Sequence, residues 1–196
     1  MPIELKCYRA AAIGGFLADV AALRIKVFSD YPYLYDGDIL YEQKYLQRYV
    51  QSARSLLVLA VDNEQIIGAA TGMPLSDEMG EFQAPFMARN FDIDSVYYFG
   101  ESVLLPAYRG QGIGHQFFDL REQFAASLST FSLTAFCAVD RPVNHPRRPL
   151  DYRSNDAFWQ KRGYQKQADM QCQICWKEHG EISESSKSLS FWLRYY

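Results

Sequence analysis

The sequence predicts an α/β chain: a mixed sheet with helices on both faces. Three observations carry that expectation. Short β-rich runs alternate with stretches in which apolar residues recur every three or four positions. Two of the β-rich runs flank Asp62-Asn63-Glu64-Gln65, four turn-type residues, and so form an antiparallel hairpin. The elements follow the order strand, two helices, hairpin, strand, helix, strand, helix, strand.

Ile3 to Arg9 opens the chain as a short strand. Ile13, Phe16, Leu17, Val20, Leu23 and Val27 recur at helical spacing and predict an amphipathic helix over Ala12 to Ser29. Tyr31 to Asp38 contains Pro32 and Asp36-Gly37, which mark a loop. A second helix spans Leu40 to Ala53, with Tyr41, Tyr45, Leu46 and Tyr49 on one side. The hairpin strands are Leu56 to Val61 and Ile66 to Thr71, and a short helix lies near Glu81 to Asn90. Ser95 to Leu105, rich in Val, Tyr, Phe and Leu, is expected as one long strand. Ile113, Phe117, Leu120, Phe124 and Leu128 set a helix over Gly112 to Leu128, and Phe131 to Val139 is the next strand. Asp140 to Ser154 is a loop stiffened by Pro142, Pro146 and Pro149. Asn155 to Arg162 is a helix stopped by Gly163, and the last strands run from Tyr164 to about Glu178. Residues 3–178 are expected to form one domain and 179–196 a C-terminal tail, polar over His179 to Ser188. Its apolar Phe191-Trp192-Leu193 would dock on the domain or on a partner.

Composition narrows the function classes. The chain has 196 residues, 48% hydrophobic and 22% charged, and at this size roughly 70% of its surface can be buried, enough for one substantial core. A net charge of −3 is a poor footing for nucleic-acid binding, which needs a basic surface. No apolar run reaches the ~18 residues that span a bilayer, and Met1 to Lys6 does not begin a signal peptide. Four cysteines make no disulfide framework, which points to a cytoplasmic location. Cys172 and Cys175 have C-x-x-C spacing, but on a strand residues three apart face opposite ways, so no metal is expected. Aromatics reach 15% with 14 Tyr, and side chains with an apolar body and polar tip suit amphipathic pockets.

The chemistry concentrates in Tyr98 to His115, where a strand runs into a glycine-rich turn that opens a helix. Glycines let the backbone approach an anion. The first helical N–H groups have no internal partner and point at the same spot, where the helix dipole adds positive potential. A P-loop would need Lys and Ser or Thr after its last glycine, and here Gly114 is followed by His115-Gln116. A dinucleotide fingerprint would need a third glycine where His115 stands. What remains is R-x-x-G-x-G, formed by Arg109, Gly112 and Gly114 and preceded by Leu104-x-Pro106-x-Tyr108.

This run resembles the phosphate turn of the GNAT (Gcn5-related N-acetyltransferase) superfamily. The order of elements over residues 3–178 agrees, as does Phe158-Trp159-Gln160-Lys161-Arg162-Gly163-Tyr164, similar to the family's aromatic-x-Lys-x-Gly-aromatic segment. Cys137 to Pro142, with His145-Pro146, Arg148-Pro149 and Tyr152-Arg153, looks like an uncharacterised bacterial subgroup. The resemblance implies a mostly antiparallel, twisted sheet of six to seven strands, with a splay between the fourth and fifth, here Ser95–Leu105 and Phe131–Val139. It implies acetyl-CoA as cofactor. Arg109 would lie at the cofactor, backbone N–H groups of Gly110, Gln111, Gly112, Ile113, Gly114 and His115 would hold the pyrophosphate, and Ser102, Val103, Leu104 and Leu105 the pantetheine as an added strand. The Leu104 N–H would polarise the thioester carbonyl.

Direct transfer to an amine needs a base, and Glu101, inside an otherwise apolar strand, is the candidate; alternation places it with Val103 and Leu105 on one face. The family's acid, a Tyr four residues before the glycine, is replaced by Trp159, which would pack on the thioester or in the core; the proton would come from Tyr152, from water or from the ammonium product. Tyr152 also occupies the position of a cofactor-contacting Asn, with Asn155 three residues away. In the Tyr31–Asp38 lid, Tyr33, Tyr35 and Asp36 suit a cation, and Arg141 and His145 in the loop after the fifth strand suit an anionic group. Together they suggest a small polar or zwitterionic amine as acceptor, with the protein a monomer or homodimer. The competing reading is a catalytically silent acyl-CoA sensor or interaction module, supported by Trp159.

Overall fold

Eight strands and five α-helices make up the computed structural model, which describes residues 2–196. The strands are β1 Glu4–Tyr8, β2 Leu56–Asp62, β3 Gln65–Pro74, β4 Val96–Tyr98, β5 Ser102–Leu104, β6 Leu133–Val139, β7 Gln165–Trp176 and β8 Ser185–Tyr195. The helices are α1 Leu17–Phe28, entered through a 3-10 segment at Ala10–Phe16, then α2 Ile39–Gln51, α3 Gly80–Met87, α4 Ile113–Ser127 and α5 Asp156–Lys161. Spatially the strands run β1-β2-β3-β4-β6-β8-β7, with β5 paired to β3 alone. The β4–β6 pair is parallel and the other named pairs are antiparallel.

The helices cover both faces because the central strands are apolar on both sides. In β2, Leu57 and Leu59 pack under α1 and α2, while Leu56, Val58 and Ala60 pack against α4. The hairpin between β2 and β3 closes through Asn63 and Glu64, both at positive φ (46° and 68°), the left-handed backbone that a two-residue turn demands. Gly163, at φ 88°, ends the last helix.

Two expectations change. The stretch Ser95 to Leu105 is two strands, not one. β4 reaches its parallel partner through Phe99 N–H to Ala135 O (2.8 Å); beyond it the chain leaves β6 and continues as β5 on β3 only, so the splay opens at Gly100. The expected tail after Glu178 contains a strand. β8 inserts between β6 and β7 and buries Phe191, Trp192 and Leu193 within the sheet of the same chain. These residues complete the core because β6 otherwise lacks a neighbour on that side, and β7 reaches the sheet only through β8. Among the described residues no helix is long and apolar enough to cross a membrane. Cys172 is buried and Cys175 exposed, as strand alternation requires.

Candidate active site

The glycine-rich turn presents unpaired N–H groups to open space. Gly110 and Gly112 sit at φ 76° and 85°, backbone that L side chains adopt at a cost, and a Cβ at either would meet nothing within 4 Å. The space beside them is open. α2 caps its own start with Asp38, whose carboxylate accepts from Tyr41 N–H (2.8 Å), but Gly112 gives α4 no side-chain cap. No backbone N–H from Gly110 to His115 finds an acceptor among the described residues; the first that does is Gln116, on Gly112 O at 3.2 Å. The Arg109 side chain folds back to donate to Leu104 O (3.2 Å), and the His115 ring sits against Phe158 and beside the Arg162 guanidinium.

β5 presents a second open row. Thr71 N–H donates to Glu101 O (3.0 Å) and Leu105 N–H to Ile67 O (2.9 Å), so Glu101, Val103 and Leu105 face their partner β3 through the ladder. By alternation, the N–H groups of Ser102 and Leu104 face the other way, into the splay. An added strand finds its hydrogen bonds there.

The splay begins at a bulge that aims the one carboxylate of the strand. Thr71 opposes two residues: its O accepts from Gly100 N–H (3.2 Å) while its N–H bonds Glu101. Only glycine fits at 100, because a Cβ there would stand 2.0 Å from Tyr49 Oη and 2.7 Å from Thr71 Oγ1. Arg121 of α4, itself buried, pins the bulge. It donates to Thr71 O (3.1 Å), Glu101 O (3.3 Å) and Ser102 Oγ (2.7 Å), and its burial pushes its pKa down to about 10. The Glu101 carboxylate then points between α1 and α2, with Oε2 bonded to Arg24 and Oε1 buried without a partner. Burial raises its pKa, against the lowering influence of Arg24. Arg24 also bonds Glu42 of α2, and its guanidinium lies over the rings of Tyr45 (4.6 Å) and Phe28 (5.1 Å).

These residues line a cavity of about 120 Å³, walled by Phe28, Tyr33, Tyr45, Phe82, Tyr98 and Trp176, with Glu42, Glu101 and Arg24 as its charged groups. Burial holds the phenols of Tyr33, Tyr35, Tyr45 and Tyr98 above their ordinary range, so they remain neutral.

Of the residues expected at the acceptor, Tyr33 and Tyr35 line this cavity and the others do not. Asp36 pairs at the surface with Lys177 (2.8 Å), whose hydrogen bond and charge lower its pKa. Arg141 donates to Pro32 O (2.6 Å), Tyr33 O (3.1 Å) and Glu178 (2.6 Å); it is the strut that fixes the lid. His145 stays within its loop, Nδ1 accepting from Arg147 N–H (3.2 Å) and its ring beside Tyr31. The lid is further tied by Trp176 Nε1–H to Tyr33 O (3.1 Å) and by a bridge from Tyr35 to Glu178. Tyr152 packs edge-on against Tyr31 (4.6 Å) under the Arg148 guanidinium, and Asn155 is exposed at the start of α5. Trp159 packs against Phe136 (5.0 Å) and Trp192 (5.1 Å), an apolar contact beside the splay.

Arg24, Glu42 and Arg121 were not legible as site residues, yet each carries a signal. Arg24 falls four residues after Val20, in phase with the buried stripe of α1, and Glu42 is in phase with Leu46 and Tyr49 on α2. Arg121 stands four after Phe117 on the buried face of α4. A charged residue on an apolar stripe must have a partner elsewhere.

Comparison with known proteins agrees with this geometry. The profile of the Acetyltransferase (GNAT) family matches residues 21–164. Among solved structures, a ribosomal-protein-alanine N-acetyltransferase from Brucella melitensis superposes with a TM-score of 0.60 at 12% identity, over 97% of this chain and 99% of that one. An acetyltransferase of the GNAT family from Streptococcus pneumoniae gives 0.60 at 12% identity, over 98% and 100%. A Salmonella typhimurium protein described as an acetyltransferase, solved with its cofactor acetyl-CoA, gives 0.60 at 10% identity, over 100% and 94%. At such identities the likeness is one of fold. Among curated proteins none matches the sequence.

Proposed function

Because the chain belongs to the GNAT acetyltransferase family, we propose that it transfers the acetyl group of acetyl-CoA directly to the amine of a small molecule. The observation that carries this is the placement of a buried, unpartnered carboxylate oxygen, Glu101 Oε1, at the point where the chain leaves β6 and continues as β5. The unpaired N–H groups of Gly110 to His115 would hold the pyrophosphate, and the free edge of β5 the pantetheine. Acetyl-CoA bound there supplies an acyl group activated as a thioester.

The residues of this chain supply the rest. Arg24 occupies Oε2 of Glu101 and fixes the carboxylate, which leaves Oε1 buried beside the cavity that Glu101 lines. With its pKa raised by burial, Glu101 is matched to take a proton from an ammonium group, directly or through water. The Leu104 N–H, aimed into the splay, is the donor for a developing oxyanion. Tyr152, whose phenol burial keeps protonated, holds a proton for the departing sulfur. The aromatic walls exclude water from the amine.

A thermal-shift series with acetyl-CoA, CoA and NAD on wild type and Gly112→Glu tests the cofactor. A ligand at 100 times its Kd adds about 2.7 kcal/mol, or roughly 5–11 °C for a chain of this size. Stabilisation by both CoA species, absent with NAD and lost in the variant, is expected; no response to either removes the reading. In turnover followed by free thiol, Glu101→Gln should lose about 10²–10⁴-fold in rate while still binding acetyl-CoA. Unchanged turnover would mean that Glu101 is not the base.

A further inference from the structure

We infer that the cavity between α1, α2 and β5 selects a compact monoamine with an apolar body, an aralkyl or short alkyl amine, and rejects amino acids; that this amine is the acceptor rests on the acetyltransferase reading above. The argument starts from charge. Two carboxylates, Glu42 and Glu101, meet one guanidinium, Arg24, which bonds both. The lining therefore has an excess of one negative charge when both acids are ionised, and Glu101 Oε1 lacks a donor. An ammonium group supplies both the missing charge and the missing hydrogen bond. Tyr33, Tyr98 and Trp176 line the same cavity and give the apolar body of such an amine an aromatic surround.

The same inventory excludes a carboxylate on the ligand. Arg24 is the only cation on the lining among the described residues, and it is committed to two acids. Arg141, the cation that the sequence offered for an anionic group, is spent on Pro32 O, Tyr33 O and Glu178 and lies off the lining. The carboxylate of an α-amino acid sits one carbon from its amine, so docking the amine on Glu101 buries that carboxylate beside two others with no counter-charge. Burying an unpaired charge costs enough to weaken binding by a hundredfold or more. The zwitterionic half of the sequence-based expectation therefore has no residue to support it. Size sets the other limit. A cavity of about 150 Å³ takes one benzene ring, so one of about 120 Å³ takes a single ring or a short alkyl chain, and anything longer extends through the mouth.

The test is titration calorimetry on the wild-type protein, with and without CoA, using 2-phenylethylamine, phenylalanine and 3-phenylpropionate. These share one ring and differ in amine and carboxylate. The amine should bind, phenylalanine at least a hundredfold more weakly, and 3-phenylpropionate not at all. Glu101→Gln, close to isosteric, should weaken the amine at least tenfold, with its fold checked by circular dichroism. Phenylalanine binding within threefold of the amine, or no amine binding at all, overturns the inference, and neither comparison needs a variant. Failure of the acetyltransferase reading looks different: 2-phenylethylamine would bind, supporting the cavity assignment, while acetyl-CoA would neither bind nor be consumed.

Discussion

Replacing Arg24 by Met tests the electrostatic arrangement at the centre of the molecule. Met retains much of the apolar stem but removes the guanidinium that lies over the rings of Phe28 and Tyr45. Glu42 and Glu101, each with a side chain 1% exposed, are left without a counter-charge. Breaking a buried pair from one side costs about 3–5 kcal/mol. At about 2–4 °C per kcal/mol for a chain of this size, the melting temperature should fall by roughly 6–20 °C near pH 8. The sign of the pH dependence follows from the acids. Burial already raises the Glu101 pKa, and without Arg24 only Thr71 and Arg121 oppose it, so its folded pKa lies further above the unfolded value of about 4.3. The folded state then binds more protons than the unfolded state, and stability is lost as pH rises through the raised value. The defect should be small near pH 4.5 and largest above pH 7. Adding Glu42→Gln and Glu101→Gln to Arg24→Met removes the stranded charges and should recover more than half the loss. Calorimetric melting of the three proteins at pH 5, 6.5 and 8 decides the matter. A single variant that melts within about 2 °C of wild type at pH 8, or a triple variant no better than the single, would refute the reasoning.

Glu78 offers an independent titration: burial pushes its pKa up from 4.5 to about 7, although Arg48 bonds one of its oxygens (2.9 Å). Its contribution is fully present below about pH 4.5 and lost as pH rises to about 7, a decline of about 3 kcal/mol; Glu78→Gln should flatten that part of a urea-midpoint profile, and an unaltered slope would contradict the assignment. Phe191→Ser should cost about 3–5 kcal/mol, because it strips a fully buried ring from the sheet. Equilibrium unfolding with wild-type stability, or a variant whose only defect is a change of oligomer on gel filtration, would show that β8 lies elsewhere. Gly112→Ala should cost about 1–2 kcal/mol through its positive φ alone, since its Cβ meets open space, and a larger loss in melting would mean that the turn is packed.

The helices, the hairpin and the glycine-rich turn were legible because their causes are local. A stripe at i, i+3 and i+4 makes a helix wherever it finds a core, and the glycines of the turn act through their own backbone angles. The break in the strand after Tyr98 was not legible. Phe99, Ser102, Val103 and Leu104 suit a continuous strand, and what interrupts it is Thr71 pairing with two residues while Tyr49 fills the place of a Cβ at Gly100. In β8, Leu189, Phe191 and Leu193 alternate with the period of a strand. Its serines mask the pattern, and only the vacancy between β6 and β7 makes the segment necessary.

Sequence alone determined the fold class and the glycine-rich turn, because six consecutive residues contain all the N–H groups that the turn presents. Tertiary structure decided the cavity between α1, α2 and β5. Arg24, Glu42, Glu101 and Trp176 come from α1, α2, the bulge before β5 and the end of β7. None of these side chains has a defined partner until the sheet closes and water leaves. Only then does burial raise the Glu101 pKa, commit Arg24 to two acids and take Arg141 away from any substrate.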